Sequence, residues 1–379
     1  MQNSEIYIRM EMQIANWKNM NRFRSLAHVA DSQIDFVSND FLGLKSHPYI
    51  IKHTSESIRK NGVGSGGSRL LSGNSRIHTE LEKRIATYHN SESALLFSSG
   101  FDANLGLISS IPNRTDLIIY DQYIHASVRE GLRISHARSL SFRHNDTIEL
   151  ERLLSLHNCQ KFLIVESVYS MGGNLAPLMQ ISELCKKYSA ALIVDEAHAA
   201  GLIGPEGKGL VCELGIENEV FARIVTYGKA FGSSGAAVLG SDMLSTFLVN
   251  CCRSFIYTTA PSIPVVSSIL AAYDLMPDLD SERSHVLELA KHFAHELQAI
   301  SDSVKVWGGD SAIVSFVLGE HAIILAKYLQ DQGYDVRAIL SPTVPNGSEL
   351  IRICFHSFNT KHEVNMAIQL ITHFLSHIS

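Results

Sequence analysis

Short apolar runs separated by helical periods fill the middle of the chain. Segments 94–97, 116–120, 161–165, 191–194 and 224–226 are apolar nearly throughout instead of alternating. Such runs predict strands covered on both faces. Helical patterns lie between several of them, which predicts an α/β fold around a parallel or mostly parallel sheet. Before this region, 5–20 reads as an amphipathic helix and 34–38 as a short strand. Asn39-Asp40 opens a turn that closes at Gly43. A helix starting near Ser75 carries Leu81, Ile85 and Tyr88 on one face. After about Pro261 the pattern changes to a long helix through 284–300, strands at 312–318 and 350–354, and a helix at 322–332 between them. A smaller C-terminal α+β domain is expected there. The divisions are an N-terminal segment 1–45, a large domain 46–275 and a small domain 276–379.

The bulk numbers narrow the function. The 379 residues are 45% apolar and 18% charged, enough for one large and one smaller core. The net charge is −6 and no long basic run occurs, so nucleic-acid binding has no electrostatic support. Cys159, Cys185, Cys212, Cys251, Cys252 and Cys354 form no CxxC pair and no metal-ligand spacing, which predicts reduced thiols and no metal. Residues 1–18 mix charged and polar side chains without the apolar core of a signal peptide, and no run is long and apolar enough to span a membrane. A soluble cytoplasmic protein is expected.

Candidate chemistry gathers just after the strands. Thr226-Tyr227-Gly228-Lys229-Ala230-Phe231-Gly232 sets a lysine in a glycine-bracketed turn beyond an apolar run. Most such lysines are solvated surface residues, but the neighbouring stretches change the odds. Val194-Asp195-Glu196-Ala197-His198 ends a buried strand in two carboxylates and an imidazole. Adjacent side chains point to opposite faces, so Asp195 and Glu196 have different jobs, although an acid there can simply cap a helix. Ser99-Gly100-Phe101 sits where a strand feeds a helix, a place suited to an anion. Asp121-Gln122-Tyr123-Ile124-His125 and Glu166-Ser167-Val168-Tyr169-Ser170 add an imidazole and hydroxyls after two more strands. Ligands collect at the carboxyl ends of parallel strands. An anion site, a carboxylate, imidazoles and a lysine together suit pyridoxal 5′-phosphate, whose pyridine nitrogen needs an acid and whose aldehyde needs an amine.

Six motifs make the reading specific: Asn39-Asp40-Phe41-Leu42-Gly43-Leu44, Gly64-Ser65-Gly66-Gly67-Ser68-Arg69-Leu70-Leu71-Ser72-Gly73-Asn74, His144-Asn145-Asp146, Asp195-Glu196-Ala197-His198, Thr226-Tyr227-Gly228-Lys229 and Pro342-Thr343-Val344-Pro345. In them, from about Ser38 to Arg352, the chain resembles the α-oxoamine synthases, fold-type-I pyridoxal-phosphate enzymes. The resemblance implies a large domain with a mostly parallel seven-stranded sheet, a smaller C-terminal α+β domain and a homodimer with shared sites. It implies that Lys229 is the Schiff-base lysine, Asp195 the partner of the pyridine nitrogen, His198 the partner of the phenolic oxygen, and His125 the imidazole stacked on the ring. Gly100 and Phe101 match the phosphate turn, Ser170 and Thr226 match cofactor-contacting hydroxyls, and Thr259 matches the hydroxyl that reaches the neighbouring subunit's phosphate. Asn39 and Arg352 match the groups that hold the amino-acid carboxylate. Thr343 and Arg22, with Arg24 as the alternative, match the acyl-substrate region. After Arg352 the chain runs Ile353-Cys354-Phe355-His356, without the threonines of some members.

The Gly-Gly-Ser-Arg form of the glycine loop favours the decarboxylative condensation of L-alanine with a pimeloyl thioester, on coenzyme A or a carrier protein, over glycine C-acetyltransferase or 5-aminolevulinate synthase. Two other readings compete: a sister synthase using serine or glycine with another acyl thioester, and a non-catalytic binding module on the same fold.

Overall fold

The computed structural model describes residues 4–20, 22–26, 33–300 and 304–378. Its centre is a seven-stranded sheet of β2 (Ser93–Phe97), β3 (Leu117–Asp121), β4 (Arg138–Phe142), β5 (Lys161–Glu166), β6 (Ala190–Asp195), β7 (Ala222–Thr226) and β8 (Ala236–Gly240). The spatial order is β2-β8-β7-β6-β5-β3-β4. Only β8 runs against the others, pairing antiparallel with β2 and β7.

Alternate residues of each strand serve opposite faces. Leu95, Phe97, Ile118, Ile164, Ile193 and Ile224 pack in one cluster with Ala103, Leu107 and Val128. Leu96, Ile119, Leu163, Val165, Val194 and Val225 pack in the other with Leu81, Ile85 and Tyr273. Each such side chain stabilises the fold by about 1.5–3 kcal/mol on burial. This double coverage is why the strands read as continuous apolar runs.

β1 (Ile34–Asp35) pairs in parallel with β11 (Tyr334–Asp335), which ties the segment before Asn39 to the C-terminal part of the chain. The smaller sheet is antiparallel and uses β9 (Val306–Gly308), β10 (Ile313–Val317), β12 (Arg337–Ile339) and β13 (Leu350–Cys354), in the order β12-β13-β10-β9. The helices Asp280–Ile300 and His321–Asp331 lie against it, and the helix Lys361–Ile378 packs on both of them. The N-terminal helix Glu5–Asn19 forms where the pattern predicts one, and all its side chains are exposed. Among the described residues no helix is long and apolar enough to cross a membrane, and all six cysteines are free.

The glycine loop 62–74 has a specific contact. Gly67 O accepts from Ala260 N at 3.0 Å, and Ser65 Oγ donates to Ala260 O at 2.8 Å. His78 Nε2 donates to Pro261 O at 2.8 Å, because a carbonyl can only accept. The loop and the following helix thus pin the segment that carries Thr259.

Candidate active site

The sheet delivers five chain segments to one place. β2, β3, β5, β6 and β7 run the same way, and the residues following their carboxyl ends line a cavity of about 340 Å³. That volume suits a cofactor-sized ligand. Gly235, which leads into the reversed strand β8, closes the same end. Asn39, Gly100, Phe101, His125, Asp195, His198, Thr226 and Lys229, all singled out in the sequence, share this lining.

Lys229 Nζ donates to Thr226 Oγ1 at 3.3 Å. Burial lowers the Lys229 pKa, the positive charge of Arg352 adds to this, and Asp195 and Glu166 oppose it. A neutral amine is therefore easier to reach than on a solvated lysine. Asp195 is fixed from two sides: Ala197 N donates to Oδ1 at 2.9 Å and Asn104 Nδ2 to Oδ2 at 2.7 Å. Asn104 also donates to Ser127 Oγ at 3.1 Å. Ser127 N donates to His125 Nδ1 at 3.2 Å, and Ser127 Oγ lies 2.8 Å from the same nitrogen. His125 Nδ1 is thus an acceptor and the ring proton sits on Nε2. Burial lowers the His125 pKa; Asp195 opposes the shift and Lys229 adds to it. His198 is held well below the ordinary range by burial, then by the charges of Lys229 and Arg352, so it is a neutral imidazole.

Glu166 and Asp195 stand side by side in register on neighbouring strands. Burial, then the charge of Asp195, raises the Glu166 pKa well above the usual carboxylate range. Two adjacent carboxyls in one buried site cannot both ionise cheaply, and Glu166 is the one pushed towards its neutral form. Glu196 faces elsewhere, as the alternation predicts. It accepts from Val211 N at 3.0 Å and lies 3.9 Å from Arg223, away from the cavity.

The cavity suits pyridoxal phosphate on four grounds. Asp195 can pair with a pyridinium, and Lys229 offers an amine. The helix Gly100–Ser110 opens at the cavity, capped by Ser99 Oγ, which accepts from Asp102 N at 3.0 Å; its first amides suit an anion. Gly100 leaves this end open, since a Cβ there would lie 2.7 Å from Thr226 Cγ2. Finally, His198 Nδ1 and Asn104 Oδ1 are buried without a partner among the described residues, and unpaired buried polar atoms in a native site point to a ligand.

Other sequence candidates lie outside that lining. Arg352 Nη2 donates to Asn39 Oδ1 at 3.0 Å and its Nε donates to Ser170 O at 2.7 Å, so both residues sit directly behind Asn39. Ser170 is buried and meets this group through its backbone. Thr259 is exposed, and its carbonyl accepts from Ser98 Oγ at 3.4 Å. Arg22 Nη2 donates to Ser341 Oγ at 3.1 Å, two residues before the exposed Thr343, so these acyl-region candidates come together. Asn104, Ser127 and Glu166 were not singled out in the sequence. The signal for Glu166 was an acid ending an apolar strand; Asn104 and Ser127 gave none beyond a polar residue early in a helix.

A larger cavity of about 630 Å³ lies among Lys18, Phe23, the helix His321–Asp331 and β12. Its Lys327 and Arg337 are already paired with Asp331 at 2.5 Å and Asp335 at 2.8 Å. Among the described residues no carboxylate or imidazole lines it, whereas the smaller cavity gathers both.

Comparisons with known proteins agree with this geometry. The model of the family described as aminotransferase class I and II matches residues 31–371. An 8-amino-7-oxononanoate synthase from Emericella nidulans is 40% identical over 377 residues, covering 93% of this chain and 92% of its own. A solved 8-amino-7-oxononanoate synthase from Francisella tularensis superposes with a TM-score of 0.80 at 28% identity, over 92% of this chain and 99% of that one. A serine palmitoyltransferase from S. paucimobilis, solved with a bound adduct of pyridoxal phosphate and myriocin, gives a TM-score of 0.88 at 25% identity over 96% of each chain.

Proposed function

This chain belongs to the aminotransferase class I and II family, and from that premise we propose that it forms 8-amino-7-oxononanoate, for biotin synthesis, from L-alanine and a pimeloyl thioester. Alanine and thioester give the aminoketone, carbon dioxide and free thiol. The observation that carries the reading is the single cavity in which Lys229, Asp195, His125 and His198 meet. The choice of substrates is supported by the 40% identity to the Emericella nidulans synthase. The serine palmitoyltransferase superposes with a TM-score of 0.88 but shares only 25% of its residues, which favours alanine over serine.

Pyridoxal phosphate, when bound, supplies an electron sink for a carbanion at the amino acid Cα. The protein's part follows from its own groups. Asp195, fixed by Asn104 and Ala197 N, keeps a negative charge where a pyridinium would sit. Lys229 would hold the cofactor through Nζ and, once the amino acid's own amine takes its place, would be the neutral amine that accepts the Cα proton. His125, held by Ser127 with its proton on Nε2, would lie against the cofactor and could donate to an acyl carbonyl. Neutral His198 takes the phenolic oxygen, Thr226 is a further cofactor contact, and the Gly100-Phe101 turn takes the phosphate. Arg352 and Asn39, joined at 3.0 Å, hold the amino-acid carboxylate. Arg22 and Thr343 face the acyl chain. One mole of thiol and one of carbon dioxide per mole of alanine consumed is expected; thiol release without carbon dioxide would rule out the decarboxylative step.

The protein acts as a cytoplasmic homodimer with shared sites. Supporting this, Thr259 is exposed while Ala260 and Pro261 are pinned by the glycine loop and His78, so its hydroxyl is presented outward by a fixed backbone. Thr259→Ala is expected to weaken cofactor retention by about 1 kcal/mol, the scale of one hydrogen bond, and by more if the phosphate charge strengthens it. Mixing Thr259→Ala with Lys229→Ala subunits should restore activity. In a mixed dimer, the site with Lys229 borrows Thr259 from the Lys229→Ala subunit and is wild type. Activity that stays at the weighted average of the two parent dimers, after verified subunit exchange, would refute the shared site.

A further inference from the structure

Behind the lysine turn, on the side away from the cavity, lies a buried hydrogen-bonded chain that the reaction scheme above does not use. Side chains alternate along β7 and just past it. Thr226 faces Lys229, while Arg223, Val225 and Tyr227 face the helices Arg76–Tyr88 and Ile263–Leu275. Tyr227, Tyr273 and His89 are all fully buried. His89 Nδ1 lies 2.9 Å from Lys208 O, and a carbonyl can only accept, so Nδ1 donates. His89 Nε2 must then accept, and it does so from Tyr273 OH at 2.9 Å. With that proton committed, Tyr273 accepts from Tyr227 OH at 3.2 Å. The direction of every bond is fixed by the carbonyl at its end. Burial, then the charge of Arg223, pushes the His89 pKa down to about 3, which keeps the ring neutral as this order requires.

The same histidine anchors β7 a second time. Arg223, four residues before Tyr227 on the same strand face, donates from Nη2 to His89 O. Aromatic packing reinforces the pair: Phe231 meets Tyr227 edge-on at 5.2 Å and lies 4.9 Å from Tyr273. The turn is also held by Tyr227 N, which donates to Gly235 O at 3.0 Å, and by Ser233 Oγ, 2.6 Å from Ser268 Oγ. It closes through Gly232 N to Lys229 O at 2.9 Å and Ser233 N to Tyr227 O at 2.8 Å. Gly232 and Gly235 take positive φ values of 62° and 96° there, which glycine adopts without strain.

We propose that Tyr227, Tyr273 and His89 are positioning residues that hold the Lys229 amine at its bonding position in the cavity. The inference rests on the cofactor reading above. A residue that positions only the amine should matter for a ligand that bonds to the amine and not for one that merely fills the site. Pyridoxal phosphate condenses with a lysine amine with loss of water, whereas pyridoxamine phosphate has no aldehyde and cannot. Dissociation constants of both should be measured on the cofactor-free full chain, wild type and variant, with thermal unfolding followed alongside.

Tyr273→Phe removes the middle hydroxyl and leaves Tyr227 OH and His89 Nε2 without their partner. It is expected to weaken pyridoxal phosphate binding by on the order of tenfold, while pyridoxamine phosphate stays within roughly twofold of wild type. Tyr227→Phe removes only the first donor and should act in the same direction to a smaller extent. If Tyr273→Phe does not fold, Tyr227→Phe decides. Equal weakening of both ligands, or no change in either, would overturn the proposal in favour of a purely structural role. Wild-type protein that binds neither ligand would instead overturn the cofactor reading, and this inference with it.

Discussion

Lys229→Ala is expected to lose all measurable turnover while keeping its fold. No other lysine lines the cavity, so nothing can replace its amine in holding the cofactor or carrying the Cα proton. The side chain contributes one hydrogen bond, to Thr226 at 3.3 Å, so its loss costs stability little. Removing it also removes a positive charge that depresses His125 and His198, whose pKa values should therefore rise. Borohydride reduction of the loaded wild-type protein followed by peptide mapping should place the cofactor on Lys229. A label on another lysine would sink the assignment.

The second large effect is expected at Asp195. Asp195→Asn keeps the side-chain shape but replaces the charge with an amide. The amide keeps one oxygen to accept from Ala197 N or Asn104 Nδ2, and the hydrogen bond lost at the other costs about 1 kcal/mol. The fold should therefore survive. The electrostatic support for a pyridinium would not, and the loss of such a partner costs a few kcal/mol, or roughly a hundredfold or more in rate. Steady-state kcat on a variant with unchanged circular dichroism checks this. Near-wild-type turnover would mean that Asp195 only caps the turn that follows it.

The sequence and the structure meet most closely where a strand is buried on both faces. All five apolar runs became strands of the large sheet, because continuous hydrophobicity has few other uses at that length. The two strands of that sheet not located are instructive. β4, Arg138-Ser139-Leu140-Ser141-Phe142, is an edge strand with exposed and half-buried positions, so its polar residues hide it. β8, Ala236-Ala237-Val238-Leu239-Gly240, is built of mostly small residues and runs backwards between β2 and β7, which no local pattern announces.

The site divides in the same way. Lys229, Asp195, His125 and Gly100 follow directly from strand ends and could be singled out one strand at a time. The groups that organise them could not. Asn104 reaches Ser127, 23 residues further along the chain, and Asp195, 91 residues further along. Arg352 meets Asn39 across 313 residues, and without the family resemblance it reads as a surface cation. Such pairs are set by the topology of the sheet, not by anything near them in the chain. The glycine loop was legible as a shaped loop, but its grip on Ala260 and Pro261 was not.

The central claim is the condensation of alanine with a pimeloyl thioester at the Lys229 cavity. The most direct test is a panel of alanine, serine and glycine against pimeloyl, acetyl, succinyl and palmitoyl thioesters, with thiol release followed continuously and the product mass determined. The account predicts the highest kcat/KM for alanine with the pimeloyl thioester, and a product with the mass of 8-amino-7-oxononanoate. A higher kcat/KM for serine or glycine with another acyl thioester, or no thiol release from any pair by protein that has bound pyridoxal phosphate, would contradict it.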